Sequence, residues 1–398
     1  MQLRYNVRLY PTPGQRAVLA RAFGCARVVF NDGLRARQEA HDAGLSYICD
    51  SDLSKWVITE AKTTPQRAWL GDVSAVVLQQ ALADLNTAYR NFFASVTGKR
   101  KGPKVAPPRF RSKRDNRQAI RFTKNARFSI TAGGKLRLPK IGDVDVRWSR
   151  SLPTQPSSVT VTKDSAGRYF ASFVVEVAEQ PLPPVEPEAG IDLGLSAFAT
   201  LSDGRKIDAP RFLRRAEKKL KKLQRELSRK EKGSNNRAKA RQAVARQHAK
   251  VTDARREFHH QLSTRLIRDN QAIYVEDLAV AGLARTRLAK SVHDAGWSQF
   301  VTMLEYKARL YGRTFHRINR WFPSSKLCSQ CGTVAATMPL NIRSWTCPCG
   351  AAHDRDVNAA KNILAAGRAD RLNACGGQVR PPHQVAQPDE TGSRRGAA

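Results

Sequence analysis

Residues 189–200, Ala189-Gly190-Ile191-Asp192-Leu193-Gly194 and then LSAFAT, read as one buried β-strand that carries a single carboxylate. An ionised carboxylate among apolar neighbours is costly unless a cation neutralises it. Two later positions repeat the pattern. Glu276 ends the apolar run Ile273-Tyr274-Val275, and Asp356 lies in His353-Asp354-Arg355-Asp356-Val357-Asn358, at the mouth of the last helix. Each has an ordinary reading alone, as a turn aspartate, a salt-bridge partner or a helix N-cap. Together they suggest a set of hard oxygen ligands for Mg²⁺ or Mn²⁺. Two such ions ~3.5–4 Å apart clamp the attacking and leaving oxygens of a phosphodiester displacement. In that reading Asp192 bridges both ions, Glu276 and Asp356 hold one each, and an activated water attacks phosphorus. Asp354, two residues before Asp356, reads as a helix cap or a supporting group.

The charge balance supports a phosphodiester substrate. The 398 residues hold 69 Lys plus Arg against 34 Asp plus Glu, a formal net charge of +35. A folded chain that basic repels itself unless a polyanion neutralises it, and nucleic acid is the default polyanion. Neither a membrane partner nor a small-molecule substrate is expected. No run approaches the ~20 apolar residues of a membrane span. Met1 to Tyr10 lacks the apolar core of a secretory signal, so a cytoplasmic protein is expected, nucleoid-associated when acting.

Outward from residue 189 the chain divides. Gln180 to Glu188 holds four prolines and reads as a linker. Before it, an N-terminal strand is followed by helical patterns over Pro13 to about Gly44 (with Thr12 as N-cap), Ser51 to Ala61 and Val73 to Val96. From Phe128 the period changes to two, with Gly133-Gly134 between Phe128/Ile130 and Leu136/Leu138 as a hairpin turn. The economical arrangement is a β-barrel over 1–180 containing the first strand, with a helical domain (about 12–97) inserted. After the linker, residues 211–268 read as a helical hairpin. Leu213, Ala216, Leu220, Leu223 and Leu227 form its coiled-coil seam. Strands at Gln271–Leu278 and Thr314–Ile318, an amphipathic helix at Trp297–Tyr311 and a last helix from Val357 to Gly367 complete an α/β domain over 189–367. Residues 368–398 are expected to be disordered.

Cys328-Ser-Gln-Cys331 and Cys347-Pro-Cys349 are separated by fifteen residues, a zinc-ribbon pattern over about 321–352. The second pair is one residue short of the usual spacing, which leaves His353 open as a substitute ligand. Cys25, Cys49 and Cys375 stand alone. Lys99 to Arg127 holds twelve Lys/Arg and one acid, interleaved with prolines and aromatics. Extended, basic and aromatic is how phosphates are tracked and bases stacked. Lys99, Arg100, Lys101, Lys104, Arg109, Phe110, Arg111, Lys113, Arg114 and Arg121 are its candidate nucleic-acid contacts.

With these residues in view the chain resembles the TnpB (OrfB) family, transposon-encoded RNA-guided DNA endonucleases related to type V CRISPR effectors. The resemblance rests on Leu9-Tyr10-Pro11-Thr12, Pro108-Arg109-Phe110-Arg111, Gly190-Ile191-Asp192-Leu193-Gly194, Leu227-Ser228-Arg229-Lys230 and Val275-Glu276-Asp277-Leu278. It closes on Cys328-Ser-Gln-Cys331-Gly332 and His353-Asp354-Arg355-Asp356-Val357-Asn358-Ala359-Ala360-Lys361-Asn362-Ile363. It implies an RNase H-like (RuvC) nuclease domain with Asp192, Glu276 and Asp356 as its triad. It also implies a guide RNA from the transposon end and a double-stranded DNA target beside a short motif. The expected fold is α/β in two lobes, the second carrying the zinc-ribbon insert. The expected cofactors are two Mg²⁺ or Mn²⁺ ions, one structural zinc and the guide RNA. Two other readings are a nuclease-dead RNA-guided repressor, which the intact carboxylate set disfavours, and a transposase that joins strands itself. No N-terminal DNA-end-binding domain of the usual kind is evident for the latter.

Overall fold

The computed structural model describes residues 1–115, 118–339 and 341–374. Cys375 and most of the tail expected to be disordered lie outside that range. The chain is mixed α/β and groups into two compact units. One is Met1–Ala178 with Lys230–Arg246, the other Glu179–Arg229 with the residues from Gln247 on. Among the described residues no helix is long and apolar enough to cross a membrane.

In the first unit, β1 (Gln2–Tyr10) leads into α1 (Pro13–Asp42). Thr12 caps α1 with a reciprocal capping box: its hydroxyl accepts from the Gln15 N–H and Gln15 answers to the Thr12 N–H. α2 (Asp50–Ser54) continues as a π-helical turn over Lys55–Glu60 and a 3₁₀ turn over Ala61–Thr63. A single helix over 51–61 is therefore corrected. The β-branched run Val57-Ile58-Thr59 is a poor α-helix former and coincides with the distorted turns. α3 (Ala75–Val96) follows. Next come β2 (Gln118–Thr123), β3 (Ser129–Ile130), β4 (Leu136–Leu138), β5 (Gly142–Arg147), β6 (Ser158–Lys163) and β7 (Tyr169–Glu176). The sheet order is β2-β6-β7-β1-β5-β4-β3, with β1 paired antiparallel to both β7 and β5. No ladder joins β2 to β3 among the described residues, so the sheet has two ends. Alternate residues such as Leu9, Phe122, Val161 and Phe173 share one core with Leu19, Leu34, Leu78 and Leu85 of the inserted helices.

In the second unit the expected single strand over 189–200 is two. β8 (Glu188–Asp192) and β9 (Ala197–Leu201) pair antiparallel, turning through Gly194-Leu195-Ser196. β10 (Lys206–Asp208) precedes α4 (Phe212–Ser228) and α5 (Asn235–Asp269), whose residues up to Arg246 group with the first unit. Of the expected seam, Leu220 is buried and Leu213, Ala216, Leu223 and Leu227 are half-buried. β11 (Ala272–Glu276), α6 (Val280–Leu283), α7 (Ala289–Ala295), α8 (Trp297–Leu310) and β12 (Thr314–Ile318) follow. β13 (Ser344–Thr346), β14 (Ala352–Asp354) and α9 (Arg355–Ala374) complete the chain. The main sheet runs β10-β9-β8-β11-β12, with β8, β11 and β12 parallel.

Strand period two sorts β11 onto both faces of this sheet. Ile273 and Val275 join Leu262, Phe300 and Leu304 of α5 and α8 on one side. Tyr274 meets Ile363 of α9 on the other. α9 lies unusually close to the sheet. A Cβ on Gly190 would collide with the Ala360 carbonyl oxygen and Leu364, and one on Gly367 would enter the Tyr274 ring. Gly367 is thus a packing residue and not a helix end, which explains why α9 runs on to Ala374. Overpacking of this kind costs ~1–3 kcal/mol. Gly190→Ala is expected to lower Tm and to reduce any activity that depends on the start of α9. An unchanged Tm would contradict the close contact.

Candidate functional site

β8 and β11 are neighbours in parallel register, Tyr274 opposite Gly190 and Val275 opposite Ile191. The next step of that register brings Glu276 to the level of Asp192, at the C-terminal ends of the two strands. Asp356 lies in the first turn of α9, the helix packed across these strands. Its backbone N–H and that of Val357 donate to the Asp354 carboxylate at 3.1 and 3.0 Å. Asp354 is therefore the cap of α9, held also by Lys206 at 2.6 Å, and this leaves Asp356 to face the strands. Farther along α9, Arg368 and Arg371 bind Glu188 at 2.5 and 2.9 Å and fix the helix along β8.

The carboxylates repel. Burial first, then the charges of Asp356 and Glu276, raise the pKa of Asp192 to about 7, against the opposing pull of Arg355 and Arg343. Burial also pushes Glu276 up, opposed by a hydrogen bond from Ser324. A buried acid whose charged form is opposed by burial and by two neighbouring acids suits a cation. Arg343 reaches into the cluster, with one Nη 3.4 Å from Asp356 and the other donating to Ser196 Oγ at 3.0 Å.

The four cysteines Cys328, Cys331, Cys347 and Cys349 converge, with all sulfur atoms within 4.8 Å of one another. The Cys328–Cys349 and Cys331–Cys347 separations are 3.8 and 3.6 Å. Tetrahedral zinc with Zn–S bonds of ~2.3 Å needs sulfurs about 3.8 Å apart, so the residues fit the metal. The short Cys347-Pro-Cys349 pair does not prevent this. Its knuckle closes through the Gly350 N–H on the Cys347 carbonyl, with Gly350 at φ 89°. His353 Nε2 lies 3.1 Å from Cys328 Sγ, and its ring packs on Trp345 at 4.8 Å. Sequence reading missed what joins this module to α9. Buried Asn358 accepts from the Ser329 N–H and donates to the Leu327 carbonyl, and Asn362 donates to the carbonyls of Ser324 and Leu327. Two asparagines one turn apart on a helix were the available signal. Trp321, 84% exposed beside the Arg320–Asp277 pair, was also missed.

The basic stretch lies in the first unit and splits by role. Arg111 stacks on Phe30 at 3.8 Å and pairs with Asp84 at 3.2 Å, which also holds Arg121 at 3.4 Å. The Asn31 side chain brackets the Arg111 backbone on both its N–H and its carbonyl. Arg111 is thus a brace for the helical layer. Arg100 donates to Asn91. Lys99, Lys101, Lys104, Arg109, Lys113 and Arg114 are exposed, and among the described residues they make no ion pair. Phe110 is 49% exposed.

Three family profiles match this chain. Residues 172–287 match an OrfB family described as "Probable transposase", and 297–363 match a Cas12f1-like TNB domain. Residues 1–46 match a helix-turn-helix domain, although the structure has β1 and the single long helix α1 there. A Streptomyces pristinaespiralis protein provisionally named RNA-guided DNA endonuclease is 46% identical, over 96% of this chain and 92% of its own. The similarly named InsQ of Escherichia coli strain K12 is 32% identical, over 96% of each chain. Among solved structures, a Cas12f1–sgRNA–target DNA complex aligns with a TM-score of 0.53 at 13% identity, covering 87% of this chain and 82% of that one. The mini-RNA-guided endonuclease Cas_phi3 aligns at 0.52 and 10% identity, covering 96% and 94%. These structures share the fold, and the full-length relatives settle the family: the chain belongs to the TnpB (OrfB) family.

Proposed function

We propose that this chain is a transposon-associated, RNA-guided DNA endonuclease whose second unit is an RNase H-like (RuvC-type) nuclease domain. The names of the full-length relatives support the guided activity. What supports the chemistry is that burial and the charges of Asp356 and Glu276 together push the pKa of Asp192 to about 7. Mg²⁺ or Mn²⁺ bound by these three would neutralise charge at the attacking and leaving oxygens of the phosphodiester. Asp192 and Glu276 supply oxygens from adjacent strands, and Asp356 supplies its own from α9. Asp354 keeps Asp356 in place by capping that helix. Zinc held by Cys328, Cys331, Cys347 and Cys349 has a structural part: it shapes the module that Asn358 and Asn362 bind to the same helix. Pairing with RNA would read the target sequence, and the protein would read backbone shape and a short flanking motif.

The first unit, with its curled sheet as the proposed barrel, would hold RNA through its exposed cations. Protein purified at low salt is then expected to carry RNA. Each phosphate contact contributes a slope of about −0.7 to −0.9 to the dependence of log affinity on log salt. Removing Arg109, Lys113 and Arg114 together should flatten that slope by roughly two to three, with Tm unchanged. An unaltered slope would remove these residues from the interface. Arg111→Ala should instead lower Tm, since its partners are Phe30 and Asp84.

A further inference from the structure

Trp321 is 84% exposed, more than any other large apolar side chain among the described residues. Single exposed apolar residues are ordinary on a protein surface. This one sits on a loop that is tied at both ends to the strand carrying Glu276.

The loop runs from the end of β12 to Ser324. Ile318 closes β12 opposite Glu276 in parallel register, and its carbonyl accepts from the Asp277 N–H at 3.2 Å. Asn319 then turns the chain. Its side-chain oxygen accepts from the Trp321 N–H at 2.9 Å, and its carbonyl accepts from the Phe322 N–H at 3.1 Å. Phe322 packs inward on the cluster of Tyr274, Ile318 and Ile363. Pro323 fixes the next backbone angle. Buried Ser324 hydrogen-bonds Glu276 through its side chain, and its carbonyl accepts from Asn362 of α9 at 2.8 Å. Arg320 is exposed and is steadied by the Asp277 carboxylate, 3.0 Å from its Nε.

An indole on so constrained a backbone loses little freedom when a flat group lies against its face. The length of the loop bounds where it stands. Neighbouring strands are ~4.8 Å apart and three residues reach at most ~11 Å, so the Cα atoms of Trp321 and Glu276 are at most about 16 Å apart. A stacked strand rises about 3.4 Å per nucleotide, which makes that span about five nucleotides. Any strand cut at the carboxylates passes within reach of the ring. Every nucleobase has a π-face that stacks on an aromatic side chain whatever the sequence. Inside a duplex that face is covered by the next base pair, so the base that meets Trp321 must be unstacked. Arg320, next in the chain, suits the phosphate beside it.

We propose that the Trp321 indole stacks on one unpaired base of the DNA strand being cut, within about five nucleotides of the scissile phosphate. It thereby sets the register in which that strand meets Asp192, Glu276 and Asp356. The inference rests on the nuclease reading, because the carboxylates define where the strand must pass.

The test uses the full chain with its co-purified RNA, a target DNA matched to it, and Asp192→Asn to keep the DNA whole. 5-Iodouracil is placed at one position at a time, in either DNA strand or in reconstituted RNA, and irradiated. The expected result is a DNA position, near the site of wild-type cutting, that crosslinks to the peptide containing Trp321. An abasic residue there should slow single-turnover cutting by the wild type roughly tenfold, in line with the usual worth of base–aromatic stacking. Trp321→Ala should be slowed about as much on intact DNA and less than threefold further by the abasic residue. Its cuts should also spread over neighbouring phosphodiesters, while Trp321→Phe should restore the single position. Zinc content and Tm should match wild type in both variants. Should Trp321→Ala lose zinc or unfold, the crosslink and the wild-type abasic penalty, which need no substitution at 321, decide the matter. No crosslink to this peptide from DNA, a crosslink from RNA alone, or an abasic penalty as large in Trp321→Ala as in wild type overturns the proposal. Failure of the wild-type protein to cut matched DNA would instead overturn the nuclease reading, which the crosslink does not measure.

Discussion

Asp192→Asn is expected to abolish cleavage, by at least about a thousandfold on the scale of losing a principal catalytic group, and at the same time to stabilise the metal-free protein. The two effects have one cause. Asp192 titrates near 7 in the folded chain, whereas an unfolded aspartate titrates near 3.8. A folded acid with a raised pKa holds a proton that the unfolded chain releases. The folded state is therefore penalised as pH rises from about 4 to 7, and the full penalty applies above that. At ~1.4 kcal/mol per pH unit the penalty is at most about 4 kcal/mol, and partial contact with solvent brings it lower. Asn removes the charge. The variant should melt several degrees above wild type at pH 8 without divalent ions, and level with it at pH 4. Mg²⁺ should raise the wild-type Tm at pH 8 and leave that of the variant unmoved. RNA and DNA affinities should be unchanged, since the residue touches no phosphate in the absence of metal. Robust cutting by the variant would remove Asp192 from the triad. A variant less stable than wild type at pH 8 would show that the three acids do not repel.

Removing zinc is the second large perturbation. Structural zinc sites contribute on the order of 10–16 kcal/mol to the fold around them. Here that fold carries Arg343 and the Ser324–Ser329 segment to which Asn358 and Asn362 bind. Cys331→Ser is expected to lose the single zinc that elemental analysis should find per wild-type chain. Cleavage should fall at least about a hundredfold as the start of α9 loosens and Asp356 moves. RNA binding by the first unit should persist. His353→Asn should retain one zinc, because the four sulfurs already satisfy a tetrahedron. Zinc-free wild-type protein, purified without chelators, would refute the assignment. Full zinc in Cys331→Ser with loss in His353→Asn would make the histidine a ligand.

The proposed carboxylates stand out in the sequence because a charge within or at the end of an apolar strand run is conspicuous, and the cysteine cluster was legible because its spacing is close. Other features depended on partners distant in sequence. The run 189–200 is apolar almost throughout, and its division into β8 and β9 depends on the turn at Gly194-Leu195-Ser196, a weak signal inside hydrophobic flanks. Gly367 resembles a helix stop, and only the Tyr274 ring across from it shows that the missing side chain makes room for close packing. Arg111 belongs by composition with its basic neighbours. Asp84 and Phe30, which hold it, lie on two separate helices. The exposure of Trp321 could not be read at all, since Trp321-Phe322 is an apolar pair in sequence and only the fold shows that Phe322 packs inward while the indole stays out.

The central claim is guided, metal-dependent cutting. Its most direct test is to sequence the RNA that co-purifies with the protein and build a plasmid library. Each plasmid carries the matching target next to randomised flanking bases, and cleavage is followed in Mg²⁺ with and without that RNA. Double-strand cleavage is expected only with RNA, only at the matched target and only beside a restricted set of flanking sequences, with none in EDTA. Equal cutting with and without RNA, or cutting indifferent to the target sequence, would contradict the account.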